Sequence, residues 1–382
     1  MTQPDQATGT RQILLTPGPL TTTSRVREAM NRDVSTWDTD YNDVVQDIRR
    51  QLVDLVGQAD RDSAVLVQGS GTFGIEAALG TFVPRSGSVL VIDNGAYGRR
   101  MLTIAERIGL TAVSAHFPET APADASSVTN LLNANPDITH VAAVHCETTS
   151  GMLNPLEELG EAISDRGVTF LVDAMSSLGG IPLSLDSLHA DIVVSSANKC
   201  IQGVPGFAFV VARRRALEAS EGQAPSLALD LHDQWQVMES QYGKWRFTSP
   251  THTVLAFAEA LAELHDEGGV SARHHRYCTN QALLVEGMES LGFVALLPRE
   301  HQSPIITTFH NPSPPFDFDT FYQALKHRGF VIYPGKVTDA DTFRIGNIGD
   351  IHPADIRRLL AAIEQVGRDA GFLPSHNARA QP

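Results

Sequence analysis

The chain has 382 residues, of which 42% are hydrophobic and 19% are charged, a composition typical of a folded soluble enzyme rather than of a disordered chain. Its formal net charge of -15 at pH 7 disfavours nucleic acids and anionic membranes as partners, because both require a basic surface. The length exceeds what one hydrophobic core usually serves, so we expect one large and one smaller domain.

Cysteine usage and the chain termini favour an intracellular location. Cys146, Cys200 and Cys278 show neither a paired pattern nor CxxC spacing, so we predict no disulfide framework and no metal site. The N-terminal residues lack the apolar run of a secretory signal, and no apolar stretch is long enough to cross a membrane. We therefore expect a cytoplasmic protein with flexible tails at residues 1–12 and 374–382.

The first predicted element is an extended segment over residues 13–20. Its Pro17-Gly18-Pro19 sequence forces an extended or turning backbone before a helix that begins near Ser24. We expect this segment to lie close to a functional site.

A tight glycine turn follows the first predicted strand, residues 63–67, and precedes a helix over residues 73–82. Ser70, Gly71 and Thr72 then lie at a helix N-terminus, where backbone N–H groups face outward and small residues let an oxyanion approach. The pattern predicts a phosphate cradle. A turn that only joins a strand to a helix is the alternative.

The same turn also matches a dinucleotide-binding fingerprint. Gly69, Gly71 and Gly74 form a GxGxxG pattern, and Asp93 closes the next predicted strand, residues 88–92, at about the required spacing. By itself this stretch predicts an NAD-dependent dehydrogenase. We keep that chemistry as an alternative, although the lysine and the second aspartate described below would have no role in hydride transfer.

Polar and aromatic side chains follow the next strands. Tyr97 is predicted to lie on a flexible loop, where its ring could stack on a flat cofactor, although packing is the commoner role of such a ring. Residues 138–144 predict another strand, and hydroxyl side chains follow it at positions 148–150. Asn154 with Pro155 predicts the start of the next helix, with the asparagine as its cap.

An aspartate and a lysine come at the carboxyl ends of two predicted strands, residues 168–173 and 191–196. Asp173 could pair with a cation such as a protonated pyridine nitrogen. Lys199, partly desolvated in the crevice, could lose its proton near neutral pH and form a Schiff base. A lone lysine would more simply be a solvated loop residue. Together with the phosphate cradle, however, these residues predict a site for pyridoxal phosphate.

The C-terminal part predicts a smaller α/β unit. We predict helices over residues 251–267, 270–291, 318–328 and 353–367, and strands over residues 304–309, 329–333 and 342–345. Arg344 lies on the last of these strands. The predicted domains are residues 13–260, which bind the cofactor, and residues 261–373.

Nearly the whole chain resembles the fold-type I, class V aminotransferases. The motifs that carry the resemblance are, in chain order, LLTPGPL, QGSGTFGIEA, NGAYG, HCETTSGMLNP, VDAMSSLGGIP, SSANKCIQGVPGFAF, KWRFTSPTHTVLAF, VIYPGKV and FRIGNIG. The resemblance implies an α/β fold, with a large domain built on a mostly parallel seven-stranded sheet and a smaller C-terminal α/β domain. It also implies pyridoxal 5'-phosphate as the cofactor.

The resemblance further implies the residues that hold this cofactor. Lys199 would carry it covalently, and Asp173 would bind its pyridine nitrogen. Its phosphate would be held by Ser70, Gly71 and Thr72.

Additional roles follow from the same resemblance. Tyr97 would stack on the cofactor ring, Thr148 would contact its phenolic edge, and Asn198 would line the site. Thr248 would reach the phosphate from a neighbouring subunit, so we expect a homodimer. Arg344 is similar to the family's carboxylate-binding arginine.

The activity implied is ping-pong transamination in phosphonate degradation, with 2-aminoethylphosphonate as the amino donor and pyruvate as the acceptor. Desulfuration is not expected, because Asn198 stands where related desulfurases have a histidine and no loop with a catalytic cysteine is evident. A serine- or alanine-glyoxylate type of aminotransferase is the nearest alternative. A dehydrogenase and a non-catalytic phosphonate-binding protein are more remote ones, and the latter would leave Lys199 without a function.

Overall fold

A computed structural model describes residues 12–337 and 339–373. The tails predicted for residues 1–12 and 374–382 therefore lie outside the described residues, apart from Gln12. No helix in the described part of the chain combines the length and the apolar character that a membrane span requires.

A seven-stranded sheet forms the centre of the larger part of the molecule. In spatial order its strands are β2 (Asp62–Gln68), β10 (Phe207–Arg213), β9 (Ile192–Ser196), β8 (Thr169–Asp173), β5 (Ile138–Val144), β3 (Ser88–Asp93) and β4 (Thr111–His116). The strands from β9 to β4 are parallel to their neighbours. Only β10 runs against the strands beside it, so the implied mostly parallel seven-stranded sheet is confirmed.

Helices cover this sheet and are joined to it by short connections. They are α1 (Ser24–Glu28), α2 (Thr39–Val56), α3 (Gly71–Phe82), α4 (Ala96–Arg107), α5 (Ala125–Ala134), α6 (Leu156–Ile163), α7 (Arg214–Glu218), α8 (Leu231–Ser240) and α9 (Thr251–Asp266). The central strands are buried along nearly their whole length. This explains why they are continuous apolar runs rather than alternating ones.

A second hydrophobic core lies in the C-terminal part of the chain. Its helices are α10 (Gly269–Ser290), α11 (Phe318–His327) and α12 (Pro353–Asp369), and its three-stranded sheet has the order β11 (Ile306–His310), β14 (Thr342–Gly346), β13 (Tyr333–Pro334). Phe309, Phe321 and Phe343 are fully buried between them. The domain boundary near residue 260 stays a prediction.

The prediction of one continuous strand over residues 329–333 is wrong. Its first half forms β12 (Phe330–Val331), which pairs with β1 (Ile13–Leu14), whereas β13 pairs with β14 in a different sheet. The chain changes partner at Ile332, which is itself buried. As a result Ile13 and Leu15 pack in the smaller core, although we predicted that this segment belongs with the larger one.

The predicted cap of the helix after β5 is also wrong. Between them lies a hairpin of β6 (Cys146–Glu147) and β7 (Met152–Leu153), and α6 begins only after Pro155, without a side-chain cap. The Asn154 side chain instead exchanges hydrogen bonds with Asn94 and donates to the carbonyl of Val144 at 2.9 Å. This buried amide therefore joins the ends of two strands rather than capping the helix.

Candidate active site

A cleft lies at the carboxyl ends of β8 and β9, the usual position of ligands in open α/β sheets. Most of the residues predicted from the sequence line it, namely Ser70, Gly71, Thr72, Tyr97, Asp173, Asn198 and Lys199. Thr148, Thr248 and Arg344 are not part of this lining. The fold thus brings together residues that are up to 129 positions apart, from Ser70 to Lys199.

The predicted phosphate cradle forms the N-terminus of α3. Ser70 is the N-cap residue and Gly71 begins the helix, two residues earlier than predicted. The N–H groups of Gly71 and Thr72 have no partner within the helix, whereas the N–H of Phe73 donates to the Ser70 carbonyl at 3.0 Å. A Cβ atom at Gly71 would overlap Sδ of Met175, so a larger residue there would displace the Met175 side chain. The small residues and the positive end of the helix dipole favour an anion at this point.

Lys199 lies three residues after the end of β9 and is partly buried. Its Nζ atom donates a hydrogen bond to the carbonyl of Pro17 at 2.6 Å. Burial lowers the pKa of the Lys199 amine below its ordinary value, which favours the neutral, nucleophilic form. Gly18 has a φ of +113°, and a Cβ atom there would lie 2.8 Å from Cδ of Lys199, so the N-terminal segment passes directly against the lysine.

The loop after Lys199 is held by the smaller part of the molecule. Arg273 on α10 is buried, and its Nη1 atom donates to the carbonyls of Cys200 and Ile201 at 2.9 and 3.2 Å. Its Nε atom pairs with Glu267 at 2.8 Å. The sequence analysis missed this arginine, because nothing in the pattern of α10 indicates which residue reaches the lysine loop.

Asp173 ends β8 with only 5% of its surface exposed. The N–H of Met175 donates to its Oδ1 atom at 2.9 Å. Burial raises the pKa of this carboxyl to about 6, while the nearby Lys199 and Arg100 act in the opposite direction. A buried carboxylate in this state gains most from a cationic partner.

These residues fit pyridoxal phosphate. The small-residue cradle suits a phosphate, Asp173 suits a ring nitrogen that carries a proton, and Lys199 suits an aldehyde carbon. In addition, the Thr148 hydroxyl is buried and has no hydrogen-bond partner among the described residues. Such an orphaned polar group is costly unless a ligand satisfies it.

Tyr97 lies in the first turn of α4, not on a flexible loop as predicted. The N–H groups of Tyr97 and Gly98 donate to Oε2 of Glu147 at 3.0 and 3.4 Å, so a buried carboxylate caps the helix. Burial raises the pKa of Glu147, and hydrogen bonds from Thr149 and from these N–H groups oppose that change. The prediction failed because the capping carboxylate is supplied from a distant strand.

Cations surround the Tyr97 ring at the mouth of the cleft. Arg100 Cζ lies 4.9 Å and Lys336 Nζ lies 4.8 Å from the ring centroid. Arg100 also donates to the Thr72 hydroxyl at 3.3 Å. Sequence analysis missed both residues, although Arg100 stands one helical turn after Tyr97 and would have been found if α4 had been predicted to begin at Ala96.

Arg344 is 2% exposed and lies on β14. Its Nη1 atom donates to the Thr148 carbonyl at 2.8 Å and its Nε atom to the Pro334 carbonyl at 2.9 Å. The guanidinium thus joins the smaller part of the molecule to the loop that carries Thr148. Burial lowers its pKa, opposed by the nearby Tyr97, Tyr333 and Glu147.

Two predicted residues remain, Asn198 and Thr248, and only Asn198 lines the cleft. Asn198 lines the cleft and accepts a hydrogen bond from the Ser196 hydroxyl at 3.1 Å. Thr248 is exposed on the surface of the single chain, beside Phe247, which is 50% exposed. Its contribution to a neighbouring subunit's site stays a prediction.

The dinucleotide interpretation does not agree with the sheet. In that fingerprint the strand before the glycines and the strand that ends in the acidic residue belong to one parallel unit. Here β2 is an edge strand that pairs only with β10, and β3 lies near the opposite edge. Asp93 faces Arg99 at 3.6 Å and His116 at 3.4 Å.

Comparison with known proteins agrees with this site. The family described as aminotransferase class-V matches residues 22–337. A 2-aminoethylphosphonate--pyruvate transaminase from Syntrophobacter fumaroxidans is 57% identical over 351 residues, which are 92% of this chain and 95% of the relative. One from Klebsiella pneumoniae is 56% identical over 359 residues, 94% of this chain and 98% of the relative.

Solved structures share the fold over nearly the whole chain. Pyridoxamine-pyruvate aminotransferase from Mesorhizobium loti has a TM-score of 0.86 at 25% identity, and the match covers 97% of this chain and 95% of the other. Ureidoglycine-glyoxylate aminotransferase from Bacillus subtilis has a TM-score of 0.88 at 22% identity, covering 98% and 97%. Both are similar to this chain in fold while differing from each other in substrate.

Proposed function

The chain belongs to the class-V aminotransferases, which are pyridoxal-phosphate enzymes of fold type I, and on that premise we propose that it transfers the amino group of 2-aminoethylphosphonate to pyruvate. The products are phosphonoacetaldehyde and L-alanine, and the two half-reactions follow each other at one site. The single observation that carries the choice of substrates is the 57% identity to a 2-aminoethylphosphonate--pyruvate transaminase over 92% of the chain. Conversely, the family match and the sheet order leave no support for the NAD-dependent alternative.

Pyridoxal phosphate supplies an electrophilic carbonyl carbon and a ring that accepts the electrons released when a C–H bond breaks. Lys199 is the residue proposed to bind that carbon and then to act as the base. Once the donor's amine has displaced it from that carbon, its Nζ atom would take the proton from the amine-bearing carbon of the donor and later give it back. The lowered pKa of Lys199 supports this role, because only the neutral amine can accept a proton.

Asp173 is proposed to hold the proton on the ring nitrogen. A carboxyl whose pKa is about 6 is mostly ionised at neutral pH, and a cation beside it favours the ionised form further. The Met175 N–H fixes the orientation of the carboxyl group. Ser70, Gly71 and Thr72 are proposed to hold the phosphate, with Thr148 at the phenolic oxygen, while Tyr97 and Asn198 border the ring.

Arg344 is proposed to bind the acid group of each substrate in turn. A guanidinium can pair with a planar carboxylate or with a tetrahedral phosphonate through parallel hydrogen bonds. Two of its nitrogens already donate to carbonyls, which fixes the plane of the guanidinium. Its remaining N–H groups are left to bind an anion.

A homodimer completes this proposal. Thr248 and the adjacent Phe247 are exposed in the single chain, and Phe73 in the first turn of α3, beside the phosphate cradle, is 51% exposed. Apolar surface of this kind beside a cleft suits an interface between subunits. We propose that Thr248 of the partner subunit reaches the phosphate cradle. The cytoplasmic location also stays a prediction.

A donor screen tests the proposed function. Purified protein loaded with pyridoxal phosphate is mixed in turn with 2-aminoethylphosphonate, serine, alanine and glycine, and the loss of the cofactor's visible absorbance is followed by stopped flow. We expect 2-aminoethylphosphonate to react fastest and pyruvate to restore the absorbance. Phosphonoacetaldehyde and alanine should then accumulate in equal amounts.

Other outcomes would point to different substrates. A protein that reacts with serine or alanine, prefers glyoxylate as the acceptor and ignores 2-aminoethylphosphonate would be an aminotransferase of the serine- or alanine-glyoxylate type. Alanine alone is not decisive, because it is the product of the proposed reaction and discharges the cofactor in reverse. Only the phosphonate donor separates the two candidates.

A further inference from the structure

A cation cluster of Arg100, Lys336 and Arg344 lies beside the cleft: Arg100 lines the cleft, and Lys336 and Arg344 stand next to that lining. None of these residues forms an ion pair within residues 12–337 and 339–373, whereas Arg99 pairs with Glu119 and Asp93 and Arg246 pairs with Asp233. In a chain with a net charge of -15, unpaired positive charge at one place indicates an anion site.

The acidic groups near the cluster do not neutralise it. Glu147 is the carboxylate that interacts with Lys336 and Arg344, but it is buried and accepts hydrogen bonds from Tyr97, Gly98 and Thr149. Burial lowers the pKa of Lys336, and the neighbouring Arg100, Arg344 and Arg99 lower it further. These groups disfavour the charged amine until an anion binds beside it.

The members of the cluster differ in what holds them. Arg100 donates to the Thr72 hydroxyl in the phosphate cradle, which places it at the cofactor's phosphate end. Arg344 is fixed by the carbonyls of Thr148 and Pro334. Lys336 is exposed, makes no hydrogen bond among the described residues, and places its Nζ atom 4.8 Å from the centroid of the Tyr97 ring. It is therefore the cation that is free to follow the substrate.

We propose that Lys336 is the residue through which this enzyme selects a dianionic phosphonate over a carboxylate as amino donor. The inference rests on the proposed function and adds a determinant of specificity to it. Arg344 would bind either acid group, and Lys336 would supply a second positive charge for the second negative charge of the phosphonate. A lysine suits this task because its amine is a mobile point charge, whereas the planar guanidinium of an arginine suits a carboxylate.

The preference for the phosphonate should depend on pH, because both the phosphonate and Lys336 change their charge with pH. A phosphate ester loses its second proton near pH 6. An alkylphosphonate loses its second proton at a higher pH, because a carbon replaces the electron-withdrawing ester oxygen, whereas a carboxylate keeps one negative charge throughout the neutral range. The advantage that Lys336 provides should therefore grow as the phosphonate becomes a dianion. It should fade at high pH, where Lys336 itself loses its proton.

The test compares Lys336→Met with a matched control, Lys326→Met. Lys326 also lies over a tyrosine ring, 5.8 Å from the centroid of Tyr322 on α11, but Tyr322, unlike Tyr97, does not line the cleft. For K336M we expect kcat/KM for 2-aminoethylphosphonate to fall about 30-fold or more, because a partly desolvated charge pair is lost. The value for alanine, measured as donor in the reverse direction, should fall less than about threefold. K326M should leave both values unchanged.

Binding without turnover provides an independent readout. Ethylphosphonate and propionate carry the two acid groups without an amine, and calorimetry on the cofactor-loaded protein measures their affinities at pH 6.0 and 8.0. We expect the wild type to gain affinity for ethylphosphonate between these pH values and K336M to lose that gain. Propionate should bind both proteins alike. Lys336→Arg should restore part of the phosphonate preference.

The outcomes separate the two proposals. If the wild type does not react with 2-aminoethylphosphonate at all, the proposed donor fails. If the wild type uses this donor but K336M weakens alanine and 2-aminoethylphosphonate equally, the function stands and Lys336 only supports Tyr97. Equal losses of ethylphosphonate and propionate binding would overturn the inference in the same way.

Discussion

The floor of the cleft and its mouth are built on different physical principles. The floor contains Asp173 and Lys199 at the ends of neighbouring strands, and a buried arginine, Arg273, holds the lysine loop. At the mouth, by contrast, Arg100 and Lys336 gather around an aromatic ring without carboxylate partners among the described residues. The floor is fixed by backbone geometry and burial, whereas the mouth is held by long side chains.

This difference suggests a division between chemistry and selection. Groups that move protons need fixed positions and shifted pKa values, which burial supplies. Groups that recognise different substrates can be mobile, because charge acts over longer distances than a proton transfer does. Substitutions in the floor should therefore abolish turnover with every substrate. Substitutions at the mouth should change which substrates are used.

The largest effect is expected at Lys199. Lys199→Ala removes the proposed nucleophile and base, so turnover should fall below detection while the cofactor still binds noncovalently. Activity is measured by alanine formation, and retention of the cofactor by equilibrium dialysis. Turnover near that of the wild type would show that the base lies elsewhere. Lys326→Ala serves as the control for an exposed lysine.

Asp173→Asn should have the next largest effect. The amide cannot hold the ring nitrogen protonated, and we expect kcat to fall on the order of a hundredfold to a thousandfold, the usual loss when a preorganised electrostatic contact is removed. Stopped-flow traces with both 2-aminoethylphosphonate and alanine should slow alike. Normal rates at full cofactor occupancy would contradict the role of Asp173.

The same substitution should change the pH dependence of stability. In the cofactor-free protein the pKa of Asp173 is raised to about 6, so the folded form binds a proton that the unfolded form loses near pH 4. Stability therefore falls as pH rises from about 4 to about 6. Because Asp173→Asn removes this penalty, it should be more stable than the wild type by roughly 3 kcal/mol above pH 6.

Thermal or denaturant unfolding across pH 4 to 8 checks this expectation. The two proteins should converge toward pH 4, where both side chains are neutral. A difference in unfolding free energy between the two proteins that is constant with pH would show that burial does not penalise the Asp173 carboxylate. The cofactor must be absent, because its cationic nitrogen would reverse the penalty.

Arg344 is buried and fixed by two carbonyls, unlike Lys336, and we propose that it binds both acid groups, so Arg344→Lys should impair both half-reactions. Charge-assisted hydrogen bonds are worth roughly 1.5–3 kcal/mol each, so losing a two-bond fork should cost on the order of a hundredfold in kcat/KM. The absorbance of the bound cofactor should not change, since its phosphate is held at Ser70 to Thr72. If the pyruvate half-reaction were crippled and the phosphonate half-reaction untouched, the shared role of Arg344 would be refuted.

The smallest effect is expected at the proposed subunit interface. Thr248→Ala should weaken cofactor binding about tenfold, the loss expected for one hydrogen bond to a charged group. Dilution of the wild type below its dimer dissociation constant should also reduce activity, as measured with mass photometry in parallel. A monomer that keeps full activity would remove Thr248 from the site. Thr253→Ala, on α9, is the matched control.

Much of the fold was open to prediction because its central strands are continuous apolar runs. The strands ending at Val144, Asp173 and Ser196 were all found in this way. Strands β4 and β10 were missed. Strand β4 is partly exposed at the sheet edge, whereas β10 is a buried apolar run like the central strands and was overlooked; its antiparallel direction is not visible in its own residues. The order in which strands pair depends on contacts between distant segments.

The site residues that could be predicted are also those with a local signal in the sequence. Asp173 and Lys199 were recognisable because a strand end is a local feature, and Ser70 to Thr72 because a glycine turn before a helix is one too. Lys336 was not recognisable, because nothing in its neighbourhood shows that its amine meets Tyr97, which is 239 positions earlier in the chain. Arg273 was missed for the same reason.

The sequence by itself determined the strand-end chemistry, the phosphate cradle and, through its motifs, the family. These are local properties, since apolar patterning, glycine conformation and helix termini depend on neighbouring residues. Only the tertiary structure decided that β2 lies apart from β3, which removes the dinucleotide interpretation. It also decided that Glu147 caps α4 and that Arg100 and Lys336 meet at the Tyr97 ring. Those outcomes depend on which distant segments burial brings together, and no local pattern encodes that.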